Sequence, residues 1–249
     1  MLEILYQDDG LVAIHKPSGL LVHRSALDAH EECFAVQLLR DQLGRRVHPV
    51  HRLDKGTSGV LLFALDKDSA SALSRCFEFG EVEKRYTAIV RGHPAEQGRI
   101  DHALSRRHDP AERLPAGASD APQQAVTHYR RLATAELPYR VDRYPSSRYA
   151  LLELAPLTGR RHQIRRHLKH IAHPIIGDST FGKGQHNRLF QQLFGSQRLL
   201  LACFSMAFTH PHTGVRVSIQ AAPAADFTSV AHALGWDKAV ASLSAGPDS

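Results

Sequence analysis

Apolar and polar positions along this chain form short runs of β type, alternating in some stretches and continuous in others. Residues 2–6, 11–15, 59–65, 85–90, 126–134, 149–154, 199–209 and 215–219 are predicted as strands. Helical periodicity is rarer. Asp66 can cap a helix whose apolar positions Ala70, Leu73, Cys76 and Phe77 recur at three- and four-residue steps. A second helix is predicted over about 160–172, ended by His173 and Pro174. Strands and helices do not alternate regularly, which disfavours a doubly wound parallel sheet and predicts an α+β fold.

Residues 106–122 are rich in Pro, Ala, Arg and Asp and nearly devoid of large apolar side chains, which predicts an exposed loop dividing two lobes of one domain, 1–222. Beyond it, 223–249 reads as a tail around one short helical stretch, 227–236. At 249 residues and 43% apolar composition the chain can bury a sizeable core. Its apolar runs are too short to span a bilayer, and the start lacks the pattern of a secretion signal. Cys33, Cys76 and Cys203 are scattered and cannot all pair. A reducing, cytoplasmic setting without a membrane is expected.

A net charge of +6 and a pI near 9.4 permit a polyanionic partner without demanding one. Arg and Lys concentrate in 45–55, 84–91 and 160–169. Such separated clusters suit a surface that tracks a phosphate backbone better than the alternative, a solvated charged face.

Three segments carry candidate chemistry. His51-Arg52-Leu53-Asp54-Lys55-Gly56-Thr57-Ser58-Gly59 places a carboxylate on a loop entering a strand, between basic residues and glycines. Standing alone, an Asp-Lys-Gly more often closes a turn through its own backbone. In 158–173, at about 100° per residue, Ile164, Leu168 and Ile171 share one helix face and His162, Arg166, Lys169 and His173 another. Arg165 falls at the border, sheltered enough to hold a carboxylate; an ordinary amphipathic helix would show the same pattern. His162, His167, His170 and His173 invite a metal, but neither a two-His-and-Glu helix motif nor a Cys pair accompanies them, and none is expected. Tyr86, in Lys84-Arg85-Tyr86, is either a half-buried strand aromatic or a platform for an unstacked base.

Taken together the segments resemble the pseudouridine synthases of the RluA type. HRLDKGTSG with Asp54, KRY at 84–86, TGRRHQIRRHL at 158–168 and HPIIGDS at 173–179 match that family's pattern, as do KPSG at 16–19 and FTHPHTG at 208–214. The match runs from Met1 to about 221 and fades in 106–122 and in the tail. His15 and Lys55 depart from it. MLEILYQ, LVHRSALD, AVTHYRRLAT and RYALLELAP resemble the members that act on tRNA. No small RNA-binding domain of the S4 kind is expected ahead of the catalytic pattern.

The resemblance implies a mixed, mostly antiparallel sheet with flanking helices around a central basic cleft. It implies Asp54 as the catalytic carboxylate, Tyr86 as the aromatic against the target base and Arg165 as the carboxylate's partner. Arg52 would fill the gap left by the flipped nucleotide, while Lys55, Lys84, Arg160, Arg161, His162, Arg166 and Lys169 would join it in binding RNA. The implied reaction turns a uridine of tRNA, at position 65 of the T stem, into pseudouridine with no cofactor and no obligate protein partner. Two rivals differ in class. A glycoside hydrolase also attacks C1′ but needs two carboxylates, and only one strong candidate is present. A non-catalytic RNA-binding protein would use the basic clusters alone.

Overall fold

The computed structural model describes residues 1–23, 33–105 and 121–244, the side chain of Ser244 excepted. Among these residues ten strands form one sheet: β1 Glu3–Gln7, β2 Leu11–Lys16, β3 His48–Pro49, β4 Ser58–Ala64, β5 Glu83–Arg91, β6 Gln97–Asp101, β7 Val126–Leu137, β8 Ser147–Pro156, β9 Leu201–Thr209 and β10 Arg216–Gln220. Its order is β1-β2-β4-β9-β5-β8-β7-β6, with β10 beside β9 and β3 beside β4. All named pairs are antiparallel except β4 with β9, which run parallel through Ser58–Ala202 and Gly59–Cys203. The mixed, mostly antiparallel α+β architecture is thus as the sequence implied.

Among the described residues six helices flank the sheet: α1 Ala35–Leu43, α2 Lys67–Glu78, α3 Gln163–His170, α4 Gly184–Phe194, α5 Ala225–Ala233 and α6 Asp237–Ser244. Side-chain alternation gives the sheet two apolar faces. Tyr86, Ala88 and Val90 of β5 and Leu152 and Leu154 of β8 join α1, α2 and α3 through Leu39, Leu73, Ile164 and Leu168. Ile89, Tyr149 and Leu151 point the other way, onto Phe190 of α4, Phe227 and Val230 of α5, and Trp236. The tail therefore docks: burying a side chain such as Phe227 contributes about 2 kcal/mol before ordering costs, and the Trp236 Nε1–H donates to the Thr134 carbonyl at 3.2 Å.

All eight predicted strands form. Asp66 caps α2 as expected, accepting from the Ser69 amide at 2.8 Å. The predicted helix over 160–172 is shorter, because Gln163 turns its side chain back on the preceding residues. Its Oε1 accepts from Arg160 N at 3.0 Å and from Thr158 Oγ1 at 2.7 Å, which folds 158–162 into a turn. His162 then enters α3 in a left-handed conformation, φ 56°. Of the loop predicted over 106–122, residues 106–120 lie outside the described residues. Ala121 and Pro122 are exposed.

Candidate active site

Asp54 sits on the loop that feeds β4, and that loop is bonded from both sides. Thr57 N donates to Asp54 O at 3.0 Å, while Gly19 N and Ser18 Oγ donate to the carbonyls of Lys55 and Gly56, each at 2.8 Å. Lys16, fully buried, donates from Nζ to the carbonyls of Pro17, Leu20 and Lys55 at 2.9, 2.7 and 3.1 Å. Burial pushes its ammonium down to about 7, the negative charge of Asp54 opposes the fall, and Arg198 adds to it. The KPSG segment is thus a clamp on the Asp54 loop. Below it, Gly59 has φ +108°, and a Cβ there would lie 1.9 Å from the Cys203 carbonyl, so only glycine lets β4 approach β9.

Arg165 and Asp54, 111 positions apart, meet here: Nη1 donates to Oδ2 at 3.0 Å. The other prongs of the guanidinium, Nε and Nη2, donate to both oxygens of Asp178 at 2.7 and 2.9 Å. Asp178 also accepts from the amides of Thr180 and Phe181. Burial alone would raise its carboxyl, but Arg165 and those amides hold it below the ordinary range. The Phe181 ring lies 5.0 Å from the guanidinium carbon. His162 Nε2 stands 3.8 Å from the other Asp54 oxygen.

Two cavities meet at Asp54. One, about 540 Å³, is lined by Asp54, Phe77, Lys84, Tyr86, Arg165 and the rim around Arg160. The other, about 630 Å³, includes Lys55, Gly177, Asp178 and Arg198. Arg52, Arg161, His162 and Arg165 line both. Tyr86 forms part of the floor, 9% exposed; burial first, then the neighbouring Cys203 and Asp54, raise its phenol, so it stays neutral near pH 7. Burial likewise pushes the Cys203 thiol up to about 12. Lys84 is partly buried with its Nζ 5.9 Å over Phe77, and burial lowers its ammonium.

Of the residues expected to bind RNA, Arg52, Lys84, Arg160, Arg161 and His162 line the first cavity. Arg166 does too, but its guanidinium is bound to Ser105 O and Oγ, both at 3.0 Å. Lys55 faces the second cavity only. Lys169 lines neither and rests 5.8 Å over Phe181. His167 is a buried strut, bonded to Thr127 Oγ1 and His102 O. No group of three His, Cys, Asp or Glu side chains among the described residues could hold a metal. Lys16, Asp178 and Phe181 were not foreseen, although Lys16 and Asp178 stand within the KPSG and HPIIGDS segments.

A sheltered carboxylate, paired with an arginine that a second carboxylate anchors, thus stands beside a basic cavity lined by an aromatic. The family model for RNA pseudouridylate synthases matches residues 10–170, and the chain belongs to that family, whose members are isomerases. Its curated relatives include proteins named tRNA pseudouridine synthase C. That of Vibrio vulnificus is 49% identical over 89% of this chain and 90% of its own length, and that of Pasteurella multocida 48% identical over 95% and 97%. The Pectobacterium carotovorum relative is longer, and the chain, 49% identical, spans 63% of it. Among solved structures, human RNA pseudouridylate synthase domain containing 4 superposes with a TM-score of 0.68 at 28% identity, covering 94% of this chain and 93% of that one. No helix of the described residues is long and apolar enough to cross a membrane.

Proposed function

We propose that the protein isomerises a uridine of tRNA to pseudouridine, at position 65 of the T stem, with Asp54 as the catalytic carboxylate. The observation that carries this reading is the Asp54–Arg165 pair at 3.0 Å, set where a basic cavity meets the Tyr86 floor. The substrate follows from the relatives' names and their near full-length similarity.

The reaction breaks the bond between N1 of uracil and C1′ of ribose, turns the base, and joins C5 to C1′. Neither bond is reachable inside a stacked helix, so the uridine leaves the stack and lies against Tyr86. Asp54 acts on the sugar, by adding to C1′ or by removing a neighbouring proton, and its charge favours positive character at C1′. Arg165, braced by Asp178, holds the carboxylate in aim. Arg52 fills the gap in the RNA stack. Lys55, Arg160, Arg161 and His162 take backbone phosphates along the two cavities.

The test is carbodiimide-dependent mapping of pseudouridine in tRNA from cells with and without the gene. Loss of the signal at position 65, restored by the gene, is expected. Loss from ribosomal RNA with every tRNA site intact would refute the substrate but not the enzyme class.

A further inference from the structure

We infer that Lys84 is a catalytic residue that donates a hydrogen bond to a ring carbonyl of the target uracil and stabilises the negative charge the base carries when it leaves C1′. This rests on the reading that the first cavity takes the extruded uridine. When N1–C1′ breaks, the bonding pair departs with the uracil, which becomes an anion spread over N1 and the ring carbonyls. Rejoining uses the pair at C5 to form C5–C1′; C5 then gives up its proton and N1 takes one, so the composition is unchanged. Whether Asp54 adds to C1′ or removes a sugar proton, the leaving base is anionic. A fixed positive charge on the base side of the cavity therefore lowers the barrier.

Lys84 is the side chain placed for that task. It lies two residues before Tyr86 on β5, and both line the same cavity. Its ammonium lies 5.9 Å over the Phe77 ring, and both residues are half-buried. Among the described residues no carboxylate lies within 4.0 Å of it, so its charge is not neutralised by an ion pair. Three of the other cations that line the cavity are engaged elsewhere. Arg165 spends its prongs on Asp54 and Asp178. Arg166 is held by Ser105, and the exposed Arg160 donates from Nε to the Gln124 carbonyl. His51 is kept neutral, its pKa pushed down to about 3 by burial and then by Lys84 itself, and its Nε2 accepts from Leu62 N. A lysine meant for phosphate would stand at the rim, in water, where Arg52 and Arg160 stand.

The experiment compares single-turnover rates at saturating enzyme on two RNAs, one with uridine and one with 5-fluorouridine at the target. Fluorine makes the departing base a weaker base that needs less stabilisation. It cannot leave as a cation, so consumption of the starting nucleotide is the readout. Lys84→Gln is expected to slow the uridine RNA about 100-fold, the cost of losing one oxyanion-type donor, but the fluorinated RNA only about tenfold, with RNA affinity within about threefold of wild type. Lys84→Arg, which keeps the charge, should preserve the wild-type ratio between the two RNAs, and it carries the test if Lys84→Gln melts early. An equal loss on both RNAs, a changed ratio in Lys84→Arg, or weakened affinity at an unchanged rate would overturn the inference. Asp54→Asn is run in parallel. If it forms product, the reading of the site fails; if it is inert while Lys84→Gln is not impaired, only the role of Lys84 fails.

Discussion

Asp178 grips Arg165 with both carboxylate oxygens, at 2.7 and 2.9 Å, and leaves the remaining Nη1 aimed at Asp54. The guanidinium is thereby fixed in plane, and its third donor has one direction to take. Asp178 is itself fixed by the Thr180 and Phe181 amides and by the turn at Gly177, where φ is +81° and a Cβ would meet the Arg198 carbonyl at 1.7 Å.

That chain of supports predicts that Asp178→Asn slows turnover without weakening RNA binding. The amide accepts from Arg165 through one atom and opposes it with the other, so Nη1 loses its aim. A fall in kcat of about 100-fold, with Kd unchanged, is expected for a displaced partner of a catalytic group. Arg165→Lys should fall further, because a point charge cannot bridge two carboxylates in one plane. Stopped-time assays with filter-binding controls check both, and an effect confined to Kd would contradict the assignment.

Acid should destabilise the fold through two buried imidazoles. Burial pushes His51 down to about 3, with Lys84 adding to it, and pushes His186 down to about 4, with Arg91 and Lys183 adding to it. Both pKa values are lower folded than unfolded, so the unfolded chain takes the protons first. Stability is full above about pH 6.5 and is lost as pH falls from there through 4 to 3. His186, bonded at Nδ1 by the Tyr149 hydroxyl at 2.8 Å, accounts for up to about 3 kcal/mol of that loss at 1.36 kcal/mol per unit. Urea midpoints at pH 7 and pH 5 measure it. His186→Gln should flatten the profile over that window, and an unchanged profile would count against the buried, neutral state.

Much of the sheet was legible because its strands bury one or two faces and so impose a period of two. β4 is buried at every position and reads as an apolar run. β3 is only two residues long, and β6, Gln-Gly-Arg-Ile-Asp, buries just Ile100, so neither carries a pattern. α4 escaped notice because only four of its eleven residues are apolar, of which Leu189, Phe190 and Phe194 pack into the second core. Asp54 and Arg165 were legible as members of a motif set. The Asp178 grip was not: it depends on the turn after α3 bringing a carboxylate back to the helix, a tertiary fact that spacing does not encode. Nor does spacing tell that Arg166 is tied to Ser105 on the cavity wall while Lys169 stays outside it.

Salt dependence should separate the cleft from the helix surface. Arg160 stands exposed on the cavity wall, so its replacement by Ala should lower affinity and reduce the slope of log K against log salt by about one. Lys169→Ala should leave both within error, since Lys169 lines neither cavity. Fluorescence anisotropy from low to moderate salt tests this. A slope change for Lys169 equal to that for Arg160 would place phosphate on the outer helix face instead.

Asp54→Asn should eliminate isomerisation and leave RNA affinity within a few-fold of wild type. The substitution keeps size and shape while removing the charge and the nucleophilic oxygen. The loop beneath is held by its backbone, through Thr57 N, Gly19 N, Ser18 Oγ and Lys16 Nζ, none of which uses the Asp54 side chain. Its geometry therefore survives the change, and the amide oxygen can still accept from Arg165. Phosphate contacts supply most of the affinity and are made elsewhere. A group used only after the base has left the stack costs turnover when it is lost, not association. Were Asp54 only a turn former, asparagine would make the same local bonds and activity would stay near wild type. Substantial product from folded Asp54→Asn enzyme, measured by carbodiimide mapping at saturating RNA, would thus remove the carboxylate from the mechanism.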